Sequence, residues 1–326
     1  MADDRFFRED PYVTFCKELA PTKKPAHDLR ARMDTGEAKE VTRLKGEFDN
    51  RVNEFFSRAQ IPLVSEHKVH DMSELLNNSF IVGESHNQTA AKKFLIDNMK
   101  AFRVAGYTTL YFEHLYYDEQ GLLDDYSRTG IMSKKLKYRL DMLDIGNSAP
   151  SGEDQDVKRE VWKKYNFTAI IQAARDAGIR VVGIDVKAVY ESQVIAQNDP
   201  NDNMREAAKR MRYMNYTAFQ IIQREESMKP SDERKWLALM GNMHVNYQHS
   251  TPGVADLLRV TSIYAFDNEA KENHIPVNVE YRGRHLLDRY ILSGDVMLSI
   301  RPEAASPRYE ILPANELMFK GKGNIS

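Results

Sequence analysis

One cysteine, Cys16, stands among 326 residues. A single thiol excludes an internal disulfide framework and a cysteine-based zinc site. It fits a reducing compartment, and equally a protein exported by a route that reads no N-terminal signal peptide. No stretch approaches eighteen consecutive apolar residues, so no membrane-spanning helix is expected. The N-terminus, MADDRFFRED, lacks the apolar h-region of a cleaved secretory signal. Charge excess is scarce too: the formal net charge is -2, and no long basic run occurs. The electrostatic case for a nucleic-acid partner is therefore missing.

What is present is an ordinary globular composition, 42% hydrophobic and 29% charged, in a chain long enough for one large domain or two modest ones. Residues 1–70 are polar and helix-prone. Behind the connector PTKKPAHD, Val41, Leu44, Phe48, Val52, Phe55 and Phe56 fall at the spacing of an amphipathic helix. This predicts a helical N-terminal extension over 1–71 and a main domain over 72–326.

From residue 78 the pattern alternates. SFIVGE, YTTLYFE, IRVVGIDV, KWLALMGNMHV and TSIYAFD read as strands. Between them QTAAKKFLIDNMKAFRVAG, QDVKREVWKKYNFTAIIQAARDAG, DPNDNMREAAKRMRYMNYTAFQIIQRE and GVADLLRV read as helices, with Gly106 and Gly178 as stops. The expectation is an α/β fold with a central, mostly parallel sheet flanked by helices on both faces. GNSAPSGEDQD, at 146–156, reads as a loop and a mobile insertion over the site. Beyond about residue 275, VNVEYRG, DRYILSG and VMLSIRP predict a short C-terminal β element, a hairpin or an antiparallel edge.

In an open α/β sheet, ligands bind beyond the carboxyl ends of the strands. Successive strand ends here deliver Glu84 and His86, Glu113 and His114, Asp185, His244, and Asp267. Such groups on one edge repel or desolvate each other unless a metal, a proton network or a substrate uses them. Plainer readings stand beside this one. Asp185 fits a helix cap as well as a site. Glu113 and His114 are adjacent, so a continuing strand would point them to opposite faces, with His114 outside. Asp267 lies in a turn-like FDNEAKE. His67, His70, His249, His274 and His285 are lone histidines in polar text and read as solvated. Arg210 and Arg212, on the long helix, are candidate anion anchors.

Two motifs carry more weight than the single residues. Gly83-Glu84-Ser85-His86 and Gly241-Asn242-Met243-His244 are both G-x-x-H after a strand. Glycine permits the sharp turn and close backbone approach there. Two imidazoles with Glu84 and Glu113 suffice for a general base, an orienting carboxylate and an acid. His86, His244 and Glu84 are equally an N/O ligand set for a divalent ion such as zinc or manganese.

At these residues the chain resembles the superfamily that joins erythromycin esterases, the ChaN haem-uptake lipoproteins and the TraB/Tiki metalloprotease-like proteins. IVGESHNQTAAKKFLIDNMKAFRVAGYTTLYFE is similar to the superfamily's opening Gly-Glu-x-His strand–helix–strand. LALMGNMHVNYQHSTPGVADLL is similar to its closing Gly-x-x-His strand and helix. AAKRMRYMNYTAF resembles the Arg/Met/Asn-bearing helix before it. The likeness covers roughly 78–268. Erythromycin esterases place one more residue between Glu and His, so the spacing is closer to ChaN, though no lipoprotein signal is present. The resemblance implies a site lined by Glu84, His86, Glu113 and His244; Asp185, His114, Arg210 and Arg212 are placed on the substrate side by their own positions at strand ends and on the long helix. It also implies a hydrolase-like enzyme on a small-molecule or peptide substrate, with or without a divalent metal. Members delivered into host cells as bacterial effectors or toxin modules make a virulence role and a host-cell protein partner compatible expectations. The alternative is a haem- or ligand-binding module without turnover, for which Tyr111, Tyr116 and Tyr117 beside the second cluster are the added donors.

Overall fold

The computed structural model describes residues 36–59, 75–147, 155–187, 189, 203–231, 234–248, 251–267, 285–287, 290–292 and 296–300. The reading of Cys16, of PTKKPAHD, of His67, His70, His249 and His274, and of most of the 146–156 loop falls outside them.

Helix α1 (Gly36–Arg58) precedes the sheet. Then follow β1 (Phe80–Glu84), α2 (Ala90–Val104) and β2 (Thr109–Tyr116). Three helices come next: α3 (Gln120–Thr129), α4 (Lys134–Asn147) and α5 (Gln155–Lys164). The chain continues through α6 (Phe167–Ala177), β3 (Arg180–Asp185), α7 (Asn203–Ser227) and β4 (Trp236–Gly241). It closes with α8 (Asn242–Val245), α9 (Val254–Leu258), β5 (Thr261–Asp267), β6 (His285–Leu287), β7 (Tyr290–Leu292) and β8 (Val296–Ile300).

Six strands form one all-parallel sheet in the order β3-β2-β4-β1-β5-β8. Side chains alternate across it, as the pleat requires. Phe80, Val82, Leu110, Phe112, Leu237 and Leu239 face a core shared with α2, α3, α4 and α6. Ile81, Tyr111, Val182, Ala238 and Met240 face a second core, filled by Tyr213, Tyr216 and Ile221 of α7 and by Phe48 and Val52 of α1. The sheet is thus buried on both faces, and its strands read as nearly unbroken apolar runs for that reason.

Four details depart from the expected elements. The stretch 155–178 is two helices, because Asn166 turns extended and its side chain accepts from the Ala169 N–H at 2.8 Å, starting α6 anew. Asp144, from the end of α4, accepts from the Phe167 N–H at 2.8 Å and secures the same start. The stretch 235–245 is a strand only to Gly241, after which Asn242–Val245 form a helical turn. Helices α3 and α4 fill a region in which no element was read. The C-terminal hairpin is present as β6–β7, whereas β8 adds to β5 as a parallel edge rather than an antiparallel one.

Candidate functional site

Both G-x-x-H glycines are required by close approach. A Cβ at Gly241 would lie 2.8 Å from His86 Cε1, and a Cβ at Gly83 would lie 2.6 Å from Asn242 Oδ1. Each motif's glycine therefore makes room for the other motif's side chain. β1 and β4 are paired neighbours, with Glu84 opposite Gly241, so the two strand ends interlock.

Around β1, Glu84 is buried and both its oxygens are occupied. Oε1 lies 3.0 Å from His86 Nδ1. Oε2 accepts from Lys92 Nζ at 2.7 Å. Lys92, 0% exposed, also donates to the carbonyls of His86 at 3.0 Å and Gln88 at 2.8 Å. Its ammonium sits 4.3 Å from the Phe167 ring and 5.0 Å from that of Trp162. Burial opposes charge on Glu84, but Lys92 and the two nearby imidazoles overcome it and hold the carboxyl well below the usual carboxylate range.

His114 enters this group. Its Nε2 is 3.2 Å from His86 Nδ1 and 3.8 Å from Glu84 Oε1. Strict alternation predicted that Glu113 and His114 would diverge. The structure departs from it because His114 has a φ of 70°, in the left-handed region, and the β2–β3 register shifts between Phe112 and Tyr116. The kink turns both side chains into the site. Gly183 accommodates it: a Cβ there would meet the Leu115 carbonyl oxygen at 2.5 Å.

Around β4, Glu113 Oε2 accepts the Gly241 N–H. Its other oxygen, Oε1, lies 3.8 Å from His244 Nε2. His244 Nδ1 lies 2.8 Å from Asn215 Oδ1. Burial opposes charge on Glu113 too, yet His244, His114 and His86 lower its pKa. The two principal imidazoles are driven apart. For His86, the pull of burial toward neutrality is outweighed by the Glu84 hydrogen bond and the charges of Glu113 and Glu84, and its pKa is raised. For His244, burial wins over Glu113, with Arg210 helping, and its pKa is lowered.

Asp185 is buried at the end of β3, its Oδ1 accepting the Val186 N–H at 2.7 Å. Burial and then the charge of Glu113 push its pKa up to about 7. Arg210 is exposed, but its charge reaches Asp185 and His244. Arg212 lies over the Phe56 ring of α1 at 5.1 Å. Asp267 accepts from the backbone N–H groups of Thr89 and Ala90 at 3.0 and 2.6 Å, which caps α2. The hydroxyls of Tyr111 and Tyr117 donate to Glu226 and Glu225 near the end of α7, and Tyr116 lies under Arg139.

Among the described residues, one group of ligand atoms gathers within 4.8 Å: Glu84, His86 and His114. The metal set expected from the sequence had His244 where the structure brings His114. One carboxylate and two imidazoles suit a divalent N/O site. Lys92 and Asn215 were not read as site residues. Helical phase was the available signal. Lys92 recurs with Leu95, Met99 and Phe102 on the buried stripe of α2, and Asn215 with Met211, Ala218 and Ile222 on that of α7. A polar residue inside an apolar stripe needs a partner.

Among the described residues no helix is long and apolar enough to cross a membrane. No curated protein matches the chain. Several solved structures match it at low identity. The RRSP MARTX toxin effector domain of Vibrio vulnificus CMCP6 is 21% identical, over 67% of this chain and 37% of that one, with a TM-score of 0.43. The C-terminal region of Pasteurella multocida toxin, described as carrying a thiol-protease-like catalytic triad, is 15% identical over 75% and 34%, with a TM-score of 0.49. The type III effector HopBA1 is 15% identical over 75% and 97%, with a TM-score of 0.45. The chain spans 37%, 42% and 45% of the length of three toxin structures that it matches. Residues 72–229 match a family model described as haem-binding uptake, Tiki superfamily, ChaN. The superfamily that the strand-end motifs resemble is thus the one whose model this stretch, with Glu84, His86, Glu113, His114, Asp185 and Asn215 in it, matches.

Proposed function

We propose that the chain is a hydrolase-like enzyme in which His244 is the general base and His86 the general acid. One observation carries this reading: at one sheet edge His86 touches the Glu84 carboxylate at 3.0 Å and is partly exposed, whereas His244 is buried and stands 3.8 Å from Glu113, which favours the charged form of the first and the neutral form of the second. Groups pushed apart in this way divide the acid and base roles. His244 takes the proton of a water that attacks a carbonyl or phosphoryl centre. His86, its Nδ1–H held by Glu84, gives the proton on Nε2 to the leaving oxygen or nitrogen. Glu113 stabilises the imidazolium that forms on His244. Asp185 and Arg210 complete the substrate side.

In a metal-assisted version, which replaces the acid role of His86, Glu84, His86 and His114 would hold a divalent ion that would polarise the substrate and lower the pKa of a bound water. The alternative, a haem- or ligand-binding module, takes its support from the description of the matched family and from His86, whose side chain is 39% exposed. Delivery into a host cell and a peptide or host-protein substrate belong to the same proposal.

The test is a panel of ester, amide and phosphoester substrates, peptides included, assayed across pH with and without EDTA. A bell-shaped rate is expected, rising through a midpoint below about 6.5 and falling through one above it. His244→Ala removes the rising limb and His86→Ala the falling one, each with a loss on the order of 100-fold or more. No turnover under any condition, together with haem binding that His86→Ala abolishes, would leave the binding module instead.

A further inference from the structure

The two ring nitrogens of His244 meet different neighbours, and these decide where its proton sits. Asn215 is 0% exposed, in the middle of α7. Its Nδ2 donates to the Pro252 carbonyl at 2.8 Å. A carbonyl only accepts, so the amide nitrogen must face Pro252 and the amide oxygen must face the other way. That oxygen lies 2.8 Å from His244 Nδ1. It too only accepts, so the hydrogen bond requires the proton on Nδ1. Neutral His244 then carries a bare lone pair on Nε2.

Nε2 faces Glu113 Oε1 at 3.8 Å, beyond hydrogen-bond length. The second oxygen of Glu113 is already taken by the Gly241 N–H. Two acceptors therefore face one another with no proton of their own between them. Such a gap is satisfied by a molecule that donates to both sides.

We propose that Asn215 is a positioning residue that locks neutral His244 in the Nδ1–H form, and that the gap between His244 Nε2 and Glu113 Oε1 seats the hydroxyl-bearing nucleophile. That this nucleophile is water rests on the hydrolase reading; the tautomer does not. Water in the gap donates one O–H to Nε2 and the other to Oε1, which leaves a lone pair for attack. As its oxygen bonds to the substrate centre, the O–H bond toward His244 breaks and the proton passes to Nε2. The opposite tautomer would fill the gap with its own N–H, pair with Glu113 and leave no base.

Nitrogen NMR of isotope-labelled histidine in the full-length chain reads the tautomer without any substrate, His244→Ala identifying the signals. Above the imidazole titration, His244 should show a protonated Nδ1 and a bare Nε2. A protonated Nε2 in the parent protein overturns the proposal. Asn215→Leu should lose the Nδ1–H form, and retention of that form in a folded Leu variant overturns the role of Asn215. Asn215→Asp keeps the acceptor and should keep the Nδ1–H form. If the Leu variant does not fold, the Asp variant decides, and a shift of the proton to Nε2 there counts against the proposal. An Nδ1–H tautomer in a protein that hydrolyses nothing would fell the hydrolase reading and leave the role of Asn215 standing.

Discussion

The β1 half and the β4 half of the site are built from the same two residue types, yet they hold protons differently. In the β1 half, a buried carboxylate touches a cation or an imidazole through each oxygen, and the side chain of His86 is 39% exposed. In the β4 half, the carboxylate is held by a backbone N–H, its histidine stands 3.8 Å off, and that histidine's side chain is 11% exposed. Contact and water favour the imidazolium in the first. Burial and a gap favour the neutral ring in the second. A Glu–His pair thus has no fixed proton affinity. Desolvation and the change in separation from 3.0 to 3.8 Å set it.

The comparison is broken hardest at Lys92. Lys92→Met leaves Glu84 buried without its cation and should destabilise the fold by about 3–5 kcal/mol, read as a large fall in melting temperature. An unchanged melting temperature would mean that Glu84 is held by the histidines alone. Among the described residues no such cation meets Glu113, and the strained charge beside it is Asp185, at the end of β3. There the folded pKa of about 7 lies above the ordinary carboxyl value. The folded state therefore binds the extra proton between about pH 4 and 7, and stability falls as pH rises through that window. Asp185→Asn should stabilise by roughly 2 kcal/mol at pH 8 and by little at pH 4. Urea melts at the two pH values check this, and an equal effect at both would refute the raised pKa. The smallest effect is expected at His114, where the two halves meet. With its φ of 70°, His114→Gly should relieve roughly 1 kcal/mol of backbone strain. A destabilised Gly variant would show that the ring's contacts with His86 and Phe167 outweigh the strain.

Much of this was legible in the residues themselves. Apolar runs of three to six residues between helical stretches specify a two-sided parallel sheet, because such a sheet buries both faces of every strand. Glycine followed by Glu or His at a strand end marks the site, because these strand ends share one edge of the sheet. Three features were decided by tertiary structure. His114 joins the site through a kink that no alternation rule contains, made possible where the Leu115 carbonyl presses on Gly183. Lys92 reads as one more surface lysine until the packing of Trp162 and Phe167 removes its water and leaves Glu84 as its counter-charge. Asn215 sits thirty-seven residues from the proline carbonyl that orients its amide, a separation that only the packing of α7 beside α9 closes. The residue types of the site follow from local sequence, since strand ends and turns are local. Proton positions depend on desolvation and on partners distant in the chain, and those exist only once the layers have packed.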